Sequence, residues 1–196
     1  MFYVFPRAVK PDVCEQIVKE CKQNILKDGL ILNSNESQYD PDTRKTSIYF
    51  LTEKNNEINE LIWSFLREAN KIQFNYDLTF FQPIQFAEYK KGGIHDWHWD
   101  GLGGLKNEEK SNEIRKLSLT LALSDPDTYE GGELQFYNGD RPVEDFGNIT
   151  GEQVSNDIKS QGSVVVFDSR DWHRVAPVTN GVRYSMVCWC VGPNFK

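Results

Sequence analysis

Pro83-Ile84-Gln85-Phe86-Ala87-Glu88-Tyr89-Lys90-Lys91-Gly92-Gly93-Ile94-His95-Asp96-Trp97-His98-Trp99-Asp100 reads as two short strands, 83–90 and 94–100, divided by a Gly-Gly turn. Downstream the rhythm continues. Further strands are expected over 116–124, 132–137, 162–167, 172–177 and 182–191, with turn signals at Asp125-Pro126, Gly131-Gly132, Asn138-Gly139 and Asn180-Gly181 between them. Many short strands with no helices among them indicate an antiparallel sandwich or barrel. The fold class is therefore mainly β, with helices gathered at the N-terminus.

Those helices are expected upstream of Leu78. After a short strand over 2–9, Pro11 suits a first helical position. Val13, Cys14, Ile17, Val18, Cys21 and Ile25 trace one helical face that runs out near Gly29. The polar stretch 33–44 reads as loop, and 46–51 as a strand. Ile58, Leu61, Ile62, Phe65, Leu66, Ala69 and Ile72 fall on one stripe of a second helix. The chain is expected to form one domain over 1–196, with 1–77 as helical support and 78–196 as the β core.

Composition narrows the function classes. The formal charge of −7 argues against a broad phosphate-binding surface, so nucleic acid is not an expected partner. The four cysteines, Cys14, Cys21, Cys188 and Cys190, lack metal-type spacing and read as buried free thiols rather than disulfides. The first residues form too short an apolar stretch for a signal peptide and no run reaches membrane-spanning length. A soluble protein of the cytoplasm, with no membrane partner, is expected.

Chemistry centres on His98-Trp99-Asp100. Strand side chains alternate with period two, so His98 and Asp100 share a face. Taken alone the pair reads more often as a hydrogen-bonded strand end than as a metal site. The chain has only 3 histidines, however, and His173 follows the buried run Gly162-Ser163-Val164-Val165-Val166-Phe167 at the start of another strand. Two imidazoles and a carboxylate hold one face of a non-haem Fe(II) and leave the remaining positions open. The third histidine, His95, lies three residues before His98, and a regular strand turns it to the opposite face. Arg183 shares a strand face with Ser185, Val187 and Trp189. A buried arginine is costly unless paired, and its guanidinium fork suits a carboxylate ligand.

The segment Arg115-Lys116-Leu117-Ser118-Leu119-Thr120-Leu121-Ala122-Leu123-Ser124-Asp125-Pro126-Asp127-Thr128-Tyr129-Glu130-Gly131-Gly132-Glu133-Leu134 resembles prolyl 4-hydroxylase-type 2-oxoglutarate/Fe(II) dioxygenases. So does the block His173-Arg174-Val175-Ala176-Pro177-Val178, followed by Gly181-Val182-Arg183 and Trp189. The likeness is strongest to the PKHD-type hydroxylases. Asp42-Thr43-Arg44-Lys45-Thr46-Ser47 is similar more loosely, and the whole covers roughly residues 40 to 192. The resemblance implies a double-stranded β-helix, or jelly roll. It implies His98, Asp100 and His173 as iron ligands and Arg183 as the anchor for the distal carboxylate of 2-oxoglutarate. It also implies Tyr89, Ser118, Thr120 and Leu134 as pocket-lining residues, with Trp189 close to the metal. Ala122 departs from relatives that carry a tyrosine there, and Val187 replaces a residue that is polar in some members.

The expected activity is oxidative decarboxylation of 2-oxoglutarate to succinate and CO2, coupled to C–H hydroxylation, with O2 as oxidant and ascorbate as an optional reductant. The expected substrate is a prolyl residue of a protein or peptide. Two alternatives stay open: a free amino acid or other small molecule as substrate, and a catalytically silent jelly-roll binding module. Nucleic-acid dealkylases carry a second arginine soon after the first, whereas Arg183 is followed by Tyr184-Ser185-Met186-Val187. Trp97, Trp99 and Trp189 are candidate cavity walls, and the loop 101–115 a candidate lid.

Overall fold

Leu117, Leu119 and Leu121 alternate with Ser118, Thr120 and Ala122 along the strand Glu113–Ala122, and this alternation divides the molecule into its layers. The computed structural model describes residues 2–24, 26–29, 31–33, 36–38, 40–51, 56–101, 113–137 and 156–195. The odd-numbered leucines are fully buried against Cys14, Ile17 and Cys21 of one helix, Pro11–Cys21, and Ile62, Leu66 and Ala69 of another, Asn56–Ala69. The even-numbered side chains point the other way, into the space between two sheets.

The large sheet has eight strands. Its path runs Phe2–Phe5, Val164–Asp168, Glu113–Ala122, Arg183–Pro193, Gln85–Tyr89, Ser47–Phe50 and Lys27–Asp28, and Phe80–Phe81 pairs with the far end of Arg183–Pro193. The small sheet runs Leu134–Phe136, His173–Val175, Ile94–His98 and Arg44–Lys45. Every pairing between these strands is antiparallel. The result is a jelly roll whose large sheet is backed by helices. Val164 and Val166 pack toward the helices, whereas Val165 and Phe167 join Leu134, Phe136 and Ile158 inside. The same period of two operates in the neighbouring strand.

The helices differ from expectation at their ends. The first stops at Cys21, well short of Gly29, because the chain turns to add Lys27–Asp28 to the sheet. The second continues as a π-helical turn, Asn70–Phe74, whose wider winding rotates the stripe. Ile72, expected on the buried face, is 52% exposed. The stretch 33–44 carries the strand Glu36–Gln38 and the beginning of Arg44–Lys45; backbone pairing at a sheet edge needs no hydrophobic pattern. Most of the candidate lid 101–115, and residues 138–155, lie outside the described residues.

All four cysteines are buried free thiols. Burial pushes Cys14 up to about 11 and Cys21 up to about 12. No helix among the described residues is long and apolar enough to cross a membrane.

Candidate functional site

The HxD strand and the distal histidine strand are direct neighbours in the small sheet, with His173 opposite His98. The ligand-capable atoms of His98, Asp100 and His173 all lie within 4.8 Å of one another. His98 Nε2 is 3.8 Å from Asp100 Oδ1, and His173 Nε2 is 3.5 Å from Asp100 Oδ2. Each imidazole uses its other nitrogen on the backbone. His98 Nδ1 lies 2.7 Å from the Asp96 carbonyl, and His173 Nδ1 lies 2.9 Å from the Asp171 carbonyl. A carbonyl only accepts, so in the neutral rings Nδ1 carries the proton and both Nε2 lone pairs face the carboxylate.

Burial, reinforced by His173, pushes the His98 imidazole down to about 3, which keeps its lone pair available. Burial works against the charged form of Asp100, but His173, His98, Arg115 and the Ser118 hydroxyl outweigh it and lower its pKa. Two imidazoles and one carboxylate brought together from adjacent strands suit a divalent iron ion.

The carboxylate is held from behind. Ser118 Oγ donates to Asp100 Oδ2 at 2.7 Å and lies 2.9 Å from Ser169 Oγ, while the Asp100 amide donates to the Ser169 carbonyl at 2.8 Å. Ser118 is fully buried. Expected among the pocket-lining residues, it sits instead behind the Asp100 carboxylate, two residues along the strand from Thr120.

A cavity opens beside these three side chains. Tyr89, Thr120, Leu134, Arg183 and Trp189 all line it, together with Ser185 and Val187, so the strand face inferred from alternation holds throughout. Arg183 is 5% exposed. Its Nη1 donates to Ser185 Oγ at 3.0 Å, and its guanidinium lies 5.3 Å from the Tyr89 ring centre. Among the described residues no carboxylate lies within ion-pair distance of it. Gly132, at φ +66°, leaves its flank open: a Cβ there would sit 2.9 Å from Arg183 Cδ. A buried cation at the end of a cavity, with a serine but no acid beside it, suits the far carboxylate of a dicarboxylic acid.

Two β-bulges place side chains that simple alternation misassigns. Between His98 and His95 the register slips against His173–Val175, so His95 turns to the cavity side. Its ring stacks on His98 with centroids 3.6 Å apart. The second bulge falls between Arg115 and Leu117. It turns Arg115 toward Trp189, with the guanidinium carbon 4.0 Å from the ring centre, and leaves Lys116 to Phe195 and Tyr76. A bulge is a property of two strands together, so neither shows in a single sequence. Arg44 and Gln85 also line the cavity and bond to each other at 3.2 Å; the Asp42–Ser47 resemblance was the only signal for Arg44. Of the tryptophans, Trp97 packs on Tyr137 and Arg174 away from the cavity, and Trp99 is 37% exposed.

Residues 84–191 match the model of the 2OG-Fe(II) oxygenase superfamily, and the chain belongs to that family. Among its relatives, a PKHD-type hydroxylase from Shewanella sp. (strain ANA-3) is 34% identical over 135 residues, covering 68% of this chain and 53% of the relative. The chain thus spans about half the length of the curated relatives it matches. In fold it is similar to the crystal structure of a Pseudomonas putida prolyl-4-hydroxylase, with a TM-score of 0.69 at 18% identity over 96% of this chain and 91% of that one. It is equally similar, at a TM-score of 0.69 and 15% identity, to a Trichoplax adhaerens prolyl hydroxylase in complex with a hypoxia inducible factor peptide fragment, over 96% and 82% of the two chains.

Proposed function

We propose that this chain is an Fe(II)- and 2-oxoglutarate-dependent hydroxylase acting on a prolyl residue of a protein or peptide. The observation that carries the reading is the convergence of two Nε2 atoms and one carboxylate within 4.8 Å, beside a cavity that ends at Arg183. His98, Asp100 and His173 hold the metal, and Arg183 holds the distal carboxylate of 2-oxoglutarate. When bound there, iron supplies O2 activation for hydroxylating an unactivated C–H bond as 2-oxoglutarate is decarboxylated to succinate and CO2.

The chain's own residues bind, orient and exclude water. Arg183 would bind the far carboxylate of the keto acid, with Tyr89 closing the side of the guanidinium. Thr120, Leu134, Val187 and Trp189 wall the cavity and keep it dry. The backbone carbonyls of Asp96 and Asp171 hold both imidazoles in one tautomer. In this reading residues 1–196 act as one catalytic domain, with 1–77 supporting a core over 78–196. Fold likeness to prolyl hydroxylases, one of them in complex with a peptide, supports the peptide substrate. Four buried free thiols are compatible with a reducing, cytoplasmic setting.

The test is succinate formation from 2-oxoglutarate with candidate prolyl peptides, followed by mass spectrometry for an added oxygen. His98→Ala and His173→Ala should abolish both signals. Arg183→Ala should chiefly raise the KM for 2-oxoglutarate. Undiminished turnover in either histidine variant overturns the assignment.

A further inference from the structure

We propose that Tyr76 is a positioning residue of the metal site, acting through Asp168 and Arg170 on the turn that supports two of the three ligands. The proposal rests on the metal reading of His98, Asp100 and His173. The turn over 168–171 follows the strand Val164–Asp168 and makes three contacts with the site. The Ser169 carbonyl accepts the Asp100 amide at 2.8 Å. Ser169 Oγ meets Ser118 Oγ at 2.9 Å, which in turn donates to Asp100 Oδ2 at 2.7 Å. The Asp171 carbonyl takes His173 Nδ1 at 2.9 Å. Any shift of this turn therefore moves a carboxylate and an imidazole together.

The turn is clamped from outside the β core. Tyr76 Oη donates to Asp168 Oδ2 at 2.6 Å, and Arg170 donates to both oxygens of the same carboxylate, at 2.9 Å from Nε and 2.6 Å from Nη2. Arg170 Nη2 also lies 3.2 Å from Tyr76 Oη, and its guanidinium carbon sits 4.0 Å from the Phe195 ring centre. Tyr76 is itself fixed. Asn70 closes a two-way bond with its backbone, amide to Oδ1 and Nδ2 to carbonyl, both at 2.9 Å. Asn75, left-handed at φ 54°, ends the π-helical turn that delivers the ring. π-turns and left-handed residues persist where the surroundings demand a particular direction of the chain.

The Arg170 side chain is half exposed, and ion pairs open to water contribute little to folding. The clamp's geometry is better matched to fixing direction than to stability. Outer supports of metal ligands ordinarily change metal affinity by 10- to 100-fold when lost.

The experiment uses Co(II) as the probe, titrated into the full chain by its ligand-field absorbance, with thermal melts run in parallel. Tyr76→Phe, which removes one oxygen, should weaken Co(II) binding roughly tenfold. Ile62→Val, a buried change on the helix side of the large sheet, should lower the melting temperature and leave Co(II) binding unchanged. Equal affinity in Tyr76→Phe and wild type overturns the proposal alone, as does an equal loss in Ile62→Val. Failure of the wild type to bind Co(II), or full binding by His98→Ala, overturns the metal reading and this proposal with it.

Discussion

Asp100 is supported by the Ser118 hydroxyl and by its own amide's bond to the Ser169 carbonyl, and the hydroxyl is the support that a single substitution removes cleanly. Ser118→Ala leaves Asp100 Oδ2 without its 2.7 Å donor. The hydrogen bond is one of the influences that lower the carboxyl pKa, so its loss moves that pKa upward. Metal binding needs the carboxylate, so the variant should bind Co(II) about tenfold more weakly. The deficit should widen as pH falls, as titrations at pH 7 and pH 5 will check. That His98 and Asp100 share a face, and that Arg183 shares one with Ser185, Val187 and Trp189, was legible from strand alternation; the place of His173 beside them was legible only from residue type and the family resemblance. Ser118's duty was not, since a hydroxyl facing a cavity and a hydroxyl facing a carboxylate read alike. His95 was misread for a different reason: its direction depends on a bulge against His173–Val175.

Among the elements, the strand Glu113–Ala122 was the most readable. Its leucines meet the helices, while Thr120 lines the cavity and Ser118 sits behind Asp100, so one strand records both layers. Leu119 is fully buried in the helix-side cluster. Leu119→Ala should cost about 2–5 kcal/mol of unfolding free energy, measured by urea denaturation, while the cavity side keeps its residues. Element ends were less readable. The first helix stops where a sheet edge takes over, and the π-turn depends on Asn70 and Tyr76 closing on each other. Both are decided by contacts outside the segment's own periodicity.

For the whole molecule, the clamp around Asp168 ties acid stability to the fold. Burial raises the Asp168 pKa, but the hydrogen bonds from Arg170 and Tyr76 prevail and lower it below its ordinary 3.8. A carboxyl with a depressed folded pKa stabilises fully above its unfolded value and loses that contribution as pH drops through the folded one. Urea midpoints should therefore fall as pH drops below about 3.8. Asp168→Asn should be only slightly less stable at pH 6, by under about 1 kcal/mol, and show a shallower acid decline. The layered arrangement was legible from turn spacing and composition, because short strands without intervening helices have few ways to close. The partition of loops around the cavity was not, since their polar residues carry no period.

The long strand Arg183–Pro193 acts as a graduated ruler. Arg183, Ser185, Val187 and Trp189 mark its inner edge at intervals of about 6.6 Å, set by covalent geometry. Sliding the arginine by one residue would turn it out toward the helices rather than nearer the metal. The distance from the guanidinium to His98, Asp100 and His173 can therefore change only in steps of two residues, so the span of the pocket is written in the count of the chain.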